Sequence, residues 1–221
     1  MEYSCLAMTS SQVRSSAWSL TISDITQAAV FAALIAALGL PGTITVGSSG
    51  VPITFQTLGV MLAGAILGPK KGTLSVAIFM VLAIAGLPIL SGGRNGLTAL
   101  GSPTAGFFVG FLPGVTVIGV LTALMMWTRT GAGPVPRFSV PAGIGINLVG
   151  GILTVYICGT LGLMIRADMT LWAAIAANGW FILGDVVKAV VAAVVAAQVH
   201  RGWPGLIGPV RRPRSREFAT A

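Results

Sequence analysis

Apolar residues run along the chain in long stretches broken by Gly, Pro and short charged runs. The first, residues 24–40, has Ser23 or Asp24 placed to cap its N-terminus and Pro41-Gly42 to end it, and predicts a helix. Thr43-Ile44-Thr45-Val46 and Val51-Pro52-Ile53-Thr54-Phe55 then read as two short extended pieces around the turn Gly47-Ser48-Ser49-Gly50. A short second helix is expected over residues 56–67, ending in Gly68-Pro69-Lys70-Lys71-Gly72, a turn that holds two positive charges. A third runs over residues 73–90, before a glycine-rich loop, Ser91-Gly92-Gly93-Arg94-Asn95-Gly96, that extends to Pro103. Residues 104–127 and 139–165 predict a fourth and a fifth helix, separated by a loop carrying Arg129 and Arg137. The last apolar stretch, residues 171–199, is longer than one membrane crossing needs, and its spanning part is expected over residues 178–199.

Composition turns this pattern into a fold class. The 221 residues are 55% hydrophobic and 8% charged, with a mean hydropathy of +0.92, whereas a soluble domain is about 25% charged. A crossing takes about 20 apolar residues at 1.5 Å each, so about six crossings exhaust the chain and leave no room for a soluble enzyme domain. The expected organisation is an all-α membrane protein with six transmembrane helices: a tail over residues 1–23, a six-helix transmembrane domain over residues 24–199 and a basic tail over residues 200–221. Residues 1–23 lack an apolar run of signal-peptide length, so the first span is expected to be retained. Cys5 and Cys158 fall in a polar tail and an apolar stretch, too different in depth to form a disulfide framework.

The basic residues orient the chain. Arg14, Lys70, Lys71, Arg129, Arg137, Arg201, Arg211, Arg212, Arg214 and Arg216 fall on one face, and only Arg94 and Arg166 on the other. The positive-inside rule makes the first face, with both termini, cytoplasmic, and turns the loops at residues 43–55 and 91–103 outward. The net charge of +8 is thus accounted for by topology rather than by nucleic acid, since the charges lie singly or in short runs between apolar stretches.

Lys188 is left over from that count, with Asp185 three positions before it on the same face of the last helix. A charge at the bilayer centre costs roughly 2.5–3.5 kcal/mol on insertion scales, so both belong inside the bundle. Counted back from Val199, Asp185 lies about 20 Å from the cytoplasmic end, in the outer third of the span. The stripe continues through Phe181 and Asn178. One reading is a neutral pair that only pins helix packing. The other is a ligand site, because Arg94-Asn95 and Thr54-Phe55-Gln56 come from loops on the same outer side. Asp185, Lys188 and Arg94 together carry a net charge of about +1, suited to a small monoanion with further neutral donors and acceptors.

On the first helix Ala28, Ala32 and Ala36 recur every four residues, with Ala29, Ala33 and Ala37 beside them. This small-xxx-small pattern lets a helix approach closely; it fits internal packing or the docking of a partner protein equally. No metal site is expected, since the single histidine, His200, has no Cys or carboxylate cluster beside it. There is no G-x-x-x-x-G-K-[S/T] phosphate loop and no G-x-S-x-G turn, so no catalytic residue is assigned and energy from ATP would come from another subunit.

Four ordered segments resemble the BioY family, the biotin-specific substrate-binding (S) components of energy-coupling factor (ECF) transporters of the ABC type. They are the stretch from Gly50 to Gly72, with Val51-Pro52-Ile53-Thr54-Phe55-Gln56 opening its core and Leu67-Gly68-Pro69-Lys70-Lys71-Gly72 closing it; Gly86-Leu87-Pro88 leading to Ser91-Gly92-Gly93-Arg94; Gly101-Ser102-Pro103-Thr104-Ala105-Gly106; and Gly184-Asp185-Val186-Val187-Lys188-Ala189. The resemblance implies a six-helix S component in the bacterial or archaeal plasma membrane. It would capture biotin from outside, with the first outward loop closing as a lid, and use no cofactor. It further implies Asp185 and Lys188 as ligand contacts, Gln56, Arg94 and Asn95 as loop positions around the pocket, and the alanine pattern of Ala28, Ala29, Ala32, Ala33, Ala36 and Ala37 as the surface for a transmembrane coupling (T) subunit, itself driven by cytoplasmic ATPases. Two rival readings are a stand-alone secondary carrier of a small carboxylate vitamin, which would work without ATPase partners, and an intramembrane enzyme using Asp185 or Lys188 as a base.

Overall fold

The computed structural model describes residues 20–40, 44–45, 52–128 and 138–207. Helix α1, Ile22–Ala37, begins at a reciprocal cap. The Asp24 backbone N–H donates to Thr21 Oγ1 at 3.2 Å, and the Thr21 backbone N–H donates to the Asp24 carboxylate at 3.0 Å, satisfying two donors that a helix start leaves open. The cap is therefore Thr21, and Asp24 fills the third helical position rather than the cap expected of Ser23 or Asp24. Strands β1, Ile44–Thr45, and β2, Pro52–Ile53, pair antiparallel with Ile44 opposite Ile53. These two rungs agree with the expected extended pieces; the Gly/Ser turn between them and the expected stop at Pro41-Gly42 lie outside the described residues.

Helix α2, Gln56–Ile84, is two helical arms joined across a kink rather than one rod. Gly68 stands at φ 75° and ψ −170°, a region essentially reserved for glycine. A Cβ on Gly72 would lie 2.7 Å from the Ala63 carbonyl oxygen, although nine residues of straight helix would separate the two by about 13 Å. The chain thus doubles back at Gly68 into two arms, residues 56–67 and 69–84. The two expected helices exist, but their junction is a single residue. Pro69, Lys70, Lys71 and Gly72 already belong to the second arm, because the fixed φ and missing N–H of proline suit a first helical turn.

The loop after α2 folds onto itself through a bridge between Leu90 and Arg94, with Gly92 and Gly93 at φ 77° and 69°. It then forms a five-residue helix, α3, Gly96–Leu100, which the sequence pattern did not predict. Helix α4, Ala105–Thr128, follows. Helix α5, Val140–Arg166, widens to π geometry over Leu148–Thr154, and α6, Leu171–Gly202, starts at the Thr170 cap. Among the described residues, four helices are long and apolar enough to cross a membrane, Gln56–Ile84 among them, and α1 is a shorter apolar helix of 16 residues. The doubling back makes the arms of α2 two shorter segments.

The arms of α2 pack between α1 and α4, around a core that includes Ile35, Val60, Val76, Phe79, Phe111 and Val115. On α1, Ala28 and Ala32 are 0% and 3% exposed, and Ala36 is half-buried against the same core. Ala29, Ala33 and Ala37 are exposed. The expected docking surface therefore needs correction: Ala28, Ala32 and Ala36 are internal packing, and only the neighbouring ridge remains on the outside. Helices α4 and α5 approach backbone to backbone, so that a Cβ on Gly162 would lie 2.6 Å from the Gly106 nitrogen.

The bundle has two unlike ends. At one, Lys71 Nζ donates to Gln27 Oε1 and to the Leu206 carbonyl, both at 2.8 Å, and lies 3.6 Å from the Asp24 carboxylate. His200 Nε2 lies 2.9 Å from the Ala65 carbonyl and its ring stacks on Phe138. At the other end the start of α2, the loop before α3 and the start of α4 meet around a cavity.

Candidate functional site

Asp185 and Lys188 project from one face of α6 and are 4% and 7% exposed. Lys188 Nζ donates to Asp185 Oδ1 at 2.7 Å, to the Thr54 carbonyl at 2.7 Å and to Thr57 Oγ1 at 3.2 Å. All three ammonium hydrogens are thereby engaged. Thr57 passes the interaction on, donating to Asp185 Oδ1 at 3.2 Å, while Tyr156 of α5 donates to Asp185 Oδ2 at 2.6 Å. The Phe55 ring lies 6.0 Å from the ammonium, within cation–π range. A buried charge is tolerated when it is paired and its remaining valences are met. Residues from the β2–α2 junction, α5 and α6 meet that condition for Asp185 and Lys188 together.

This network forms one side of a cavity that opens at this end of the bundle, where apolar walls meet a few convergent polar groups. Phe107, Phe108 and Phe111 of α4 and Phe181 of α6 supply aromatic walls. Phe107 meets Tyr156 edge to face with 6.2 Å between centroids. A second polar group comes from the loop before α3. There, half-buried Arg94 donates from Nε to the Ser91 carbonyl and from Nη1 to Thr104 Oγ1, both at 3.3 Å, which leaves Nη2 for a ligand. Gln56 also borders the cavity, with its side-chain amide bonded to the loop: Nε2 donates to the Ile89 carbonyl at 2.9 Å, and Oε1 accepts from the Ser91 N–H at 3.2 Å and the Ser91 hydroxyl at 3.1 Å.

Of the side chains expected from sequence, Asp185, Lys188, Arg94, Gln56 and Phe181 meet around this one cavity. Asn95 and Asn178 do not line it. Asn95 caps α3, its Oδ1 accepting from the Thr98 N–H at 2.9 Å. Asn178 is buried against α5, where it donates to Thr160 Oγ1 at 2.8 Å. Sequence reasoning missed Tyr156, Thr57 and the three phenylalanines of α4. Tyr156 carried a signal: it is a polar-tipped aromatic in an apolar helix, and a buried tyrosine hydroxyl needs a partner. The phenylalanines carried none that separates a cavity wall from ordinary core.

Comparison with known proteins agrees with this architecture. The model of the BioY family matches residues 8–205. The biotin transporter BioY of Rhizobium etli is 42% identical over 182 residues, covering 82% of this chain and 95% of that protein. The biotin transporter BioY of Rhodobacter capsulatus is 42% identical over 193 residues, covering 83% and 96%. A crystal structure of the S-component for biotin from an ECF-type ABC transporter superposes with a TM-score of 0.75 at 29% identity, covering 84% of this chain and 97% of that one. By its family match and by relatives that run along more than four-fifths of its length, this chain belongs to the BioY family.

Proposed function

We propose that the chain captures biotin at the outer face of a bacterial or archaeal plasma membrane and carries it inward as the S component of an ECF-type transporter. The observation that carries this reading is the Tyr156–Asp185–Lys188 network, buried beside an aromatic-walled cavity with Arg94 in the same lining. Biotin is a small monoanion with a cyclic urea and an apolar ring and chain. A cavity that is mostly apolar, holds a few convergent donors and acceptors and carries a net charge near +1 suits that chemistry.

In this reading α1, the two arms of α2, α4, α5 and α6 make six crossings. Both termini are cytoplasmic, and the β1–β2 hairpin is a lid over the cavity. The chain has no phosphate loop, so ATP is hydrolysed on partner subunits acting through a transmembrane coupling subunit. The exposed ridge of Ala29, Ala33 and Ala37 is where that subunit packs, small residues being what helices in lipid use for close contact.

Equilibrium binding of labelled biotin to the purified, detergent-solubilised chain tests the substrate. Binding that is lost in folded Asp185→Asn and Lys188→Ala variants supports the assignment, and a folded wild type that does not bind biotin sinks it. Biotin uptake into vesicles holding this chain alone, driven by a proton or sodium gradient, would favour the stand-alone carrier.

A further inference from the structure

We infer that Gln56, although it borders the cavity, is a positioning residue that fixes the loop carrying Arg94, and so acts on the ligand through Arg94. The inference rests on the reading of the cavity as the biotin site. Gln56 is 2% exposed, and its amide pairs with the loop backbone as another peptide unit would, giving to the Ile89 carbonyl and taking from the Ser91 N–H. Its Oε1 takes a second bond from the Ser91 hydroxyl, which uses both lone pairs and leaves the ligand only one N–H. From Ser91 the contacts run on to Arg94, whose Nε donates to the Ser91 carbonyl and whose backbone carbonyl accepts from the Leu90 N–H at 3.0 Å. A loop with two consecutive positive-φ glycines, Gly92 and Gly93, has little conformational preference of its own. The amide of Gln56 replaces that missing restraint.

A third segment closes on the same amide. Gly39, just past the end of α1, is buried, and a Cβ there would stand 2.6 Å from Gln56 Nε2 and 2.8 Å from the Ile89 carbonyl. Gly39→Ala would therefore disturb the Gln56–Ile89 bond from a position that does not line the cavity. It perturbs the Gln56–loop contact without removing the side chain, and the double variants with Arg94→Ala then separate positioning from contact.

The experiment is a thermodynamic cycle of biotin titrations on the full chain, with Gln56→Ala, Gly39→Ala, Arg94→Ala and the doubles Q56A/R94A and G39A/R94A, joined to backbone hydrogen exchange at Ser91 without ligand. Gln56→Ala, Gly39→Ala and Arg94→Ala should each weaken binding about tenfold or more. Each double should be no weaker than the poorer of its singles, where independent contributions would multiply. Exchange at Ser91 should accelerate in Gln56→Ala and in Gly39→Ala. Losses that multiply in Q56A/R94A would overturn the inference and make Gln56 a ligand contact. A folded wild type that fails to bind biotin removes the substrate reading, and the exchange result then decides alone: unchanged Ser91 protection in both variants overturns the positioning role, and lost protection upholds it.

Discussion

At the scale of single residues the site is a problem of unmet valence. Asp185 and Lys188 are tolerable inside the bundle because each satisfies the other and Thr54, Thr57 and Tyr156 meet what remains. Removing one member of a buried pair leaves a charge without compensation, typically at a cost of about 3–5 kcal/mol, whereas removing both can be nearly neutral. Lys188→Ala should therefore lower the thermal midpoint in detergent, and D185N/K188M should recover it while leaving biotin unbound. A double variant that recovers binding as well would make the pair structural. Tyr156→Phe keeps the ring against Phe107 and removes only the donor to Asp185 Oδ2. Hydrogen bonds to charged groups contribute roughly 1.5–3 kcal/mol, so titration calorimetry should show biotin binding weakened roughly ten- to hundredfold. The pair itself was legible in the sequence, because two charges three apart in an apolar stretch have no other place. Its partners were not: Thr57 and Tyr156 lie 128 and 29 residues from Asp185, and nothing local links them. Asn95 and Asn178 show the converse error, since adjacency to a site on a loop or stripe does not decide which way an amide turns.

At the scale of elements, two positions distinguish packing from docking. Ala28 is fully buried on α1 and Ala33 is exposed on the adjacent ridge. Ala28→Leu inserts volume into a filled core, which typically costs about 1–3 kcal/mol, and should lower the melting midpoint. Ala33→Leu should leave both the midpoint and biotin affinity unchanged and abolish copurification with the coupling subunit. Copurification lost only in Ala28→Leu would return docking to the inner ridge. The alanine period was visible in the sequence, but two parallel small-residue ridges carry the same signal and only the packed bundle says which of them faces inward. Gly68 bends α2 back on itself at φ 75° and ψ −170°, a conformation that costs a non-glycine residue about 1–3 kcal/mol. A Cβ there would also stand 3.1 Å from Ile207. Gly68→Ala should therefore lower the midpoint by several degrees, read by thermal unfolding in detergent. The break was legible as Gly-Pro. Helix α3 was not, because five residues are too few to show a period, and the π stretch of α5 keeps its apolar character whichever way its hydrogen bonds run.

At the scale of the whole molecule, the sequence divides Lys and Arg ten to two between the expected faces, and this gives the topology a test independent of biotin. Lys71 ties the start of α1 to the segment beyond α6 through Gln27, Asp24 and the Leu206 carbonyl, so the ends of three elements distant in sequence lie together, and Arg201 is in the last turn of α6. Arg94 stands at the opposite end, bonded to Ser91 and Thr104. If the basic end is cytoplasmic by the positive-inside rule, the cavity mouth and α3 face outward. A single cysteine at Leu97, which is 60% exposed on α3, should then react with a membrane-impermeant maleimide in intact cells. The background would have Cys5 and Cys158 replaced by alanine. A single cysteine at exposed Arg201 should react only after permeabilisation. The reverse pattern would invert the protein and make the cavity a cytoplasmic site, which is incompatible with capture from outside. Labelling of both positions in intact cells would place the two ends on one side and break the six-crossing arrangement. The outcome depends on neither the ligand nor the partner, because it follows from the sorting of charge along the chain and from the way α1, the arms of α2 and the three other long helices carry that sorting to two ends.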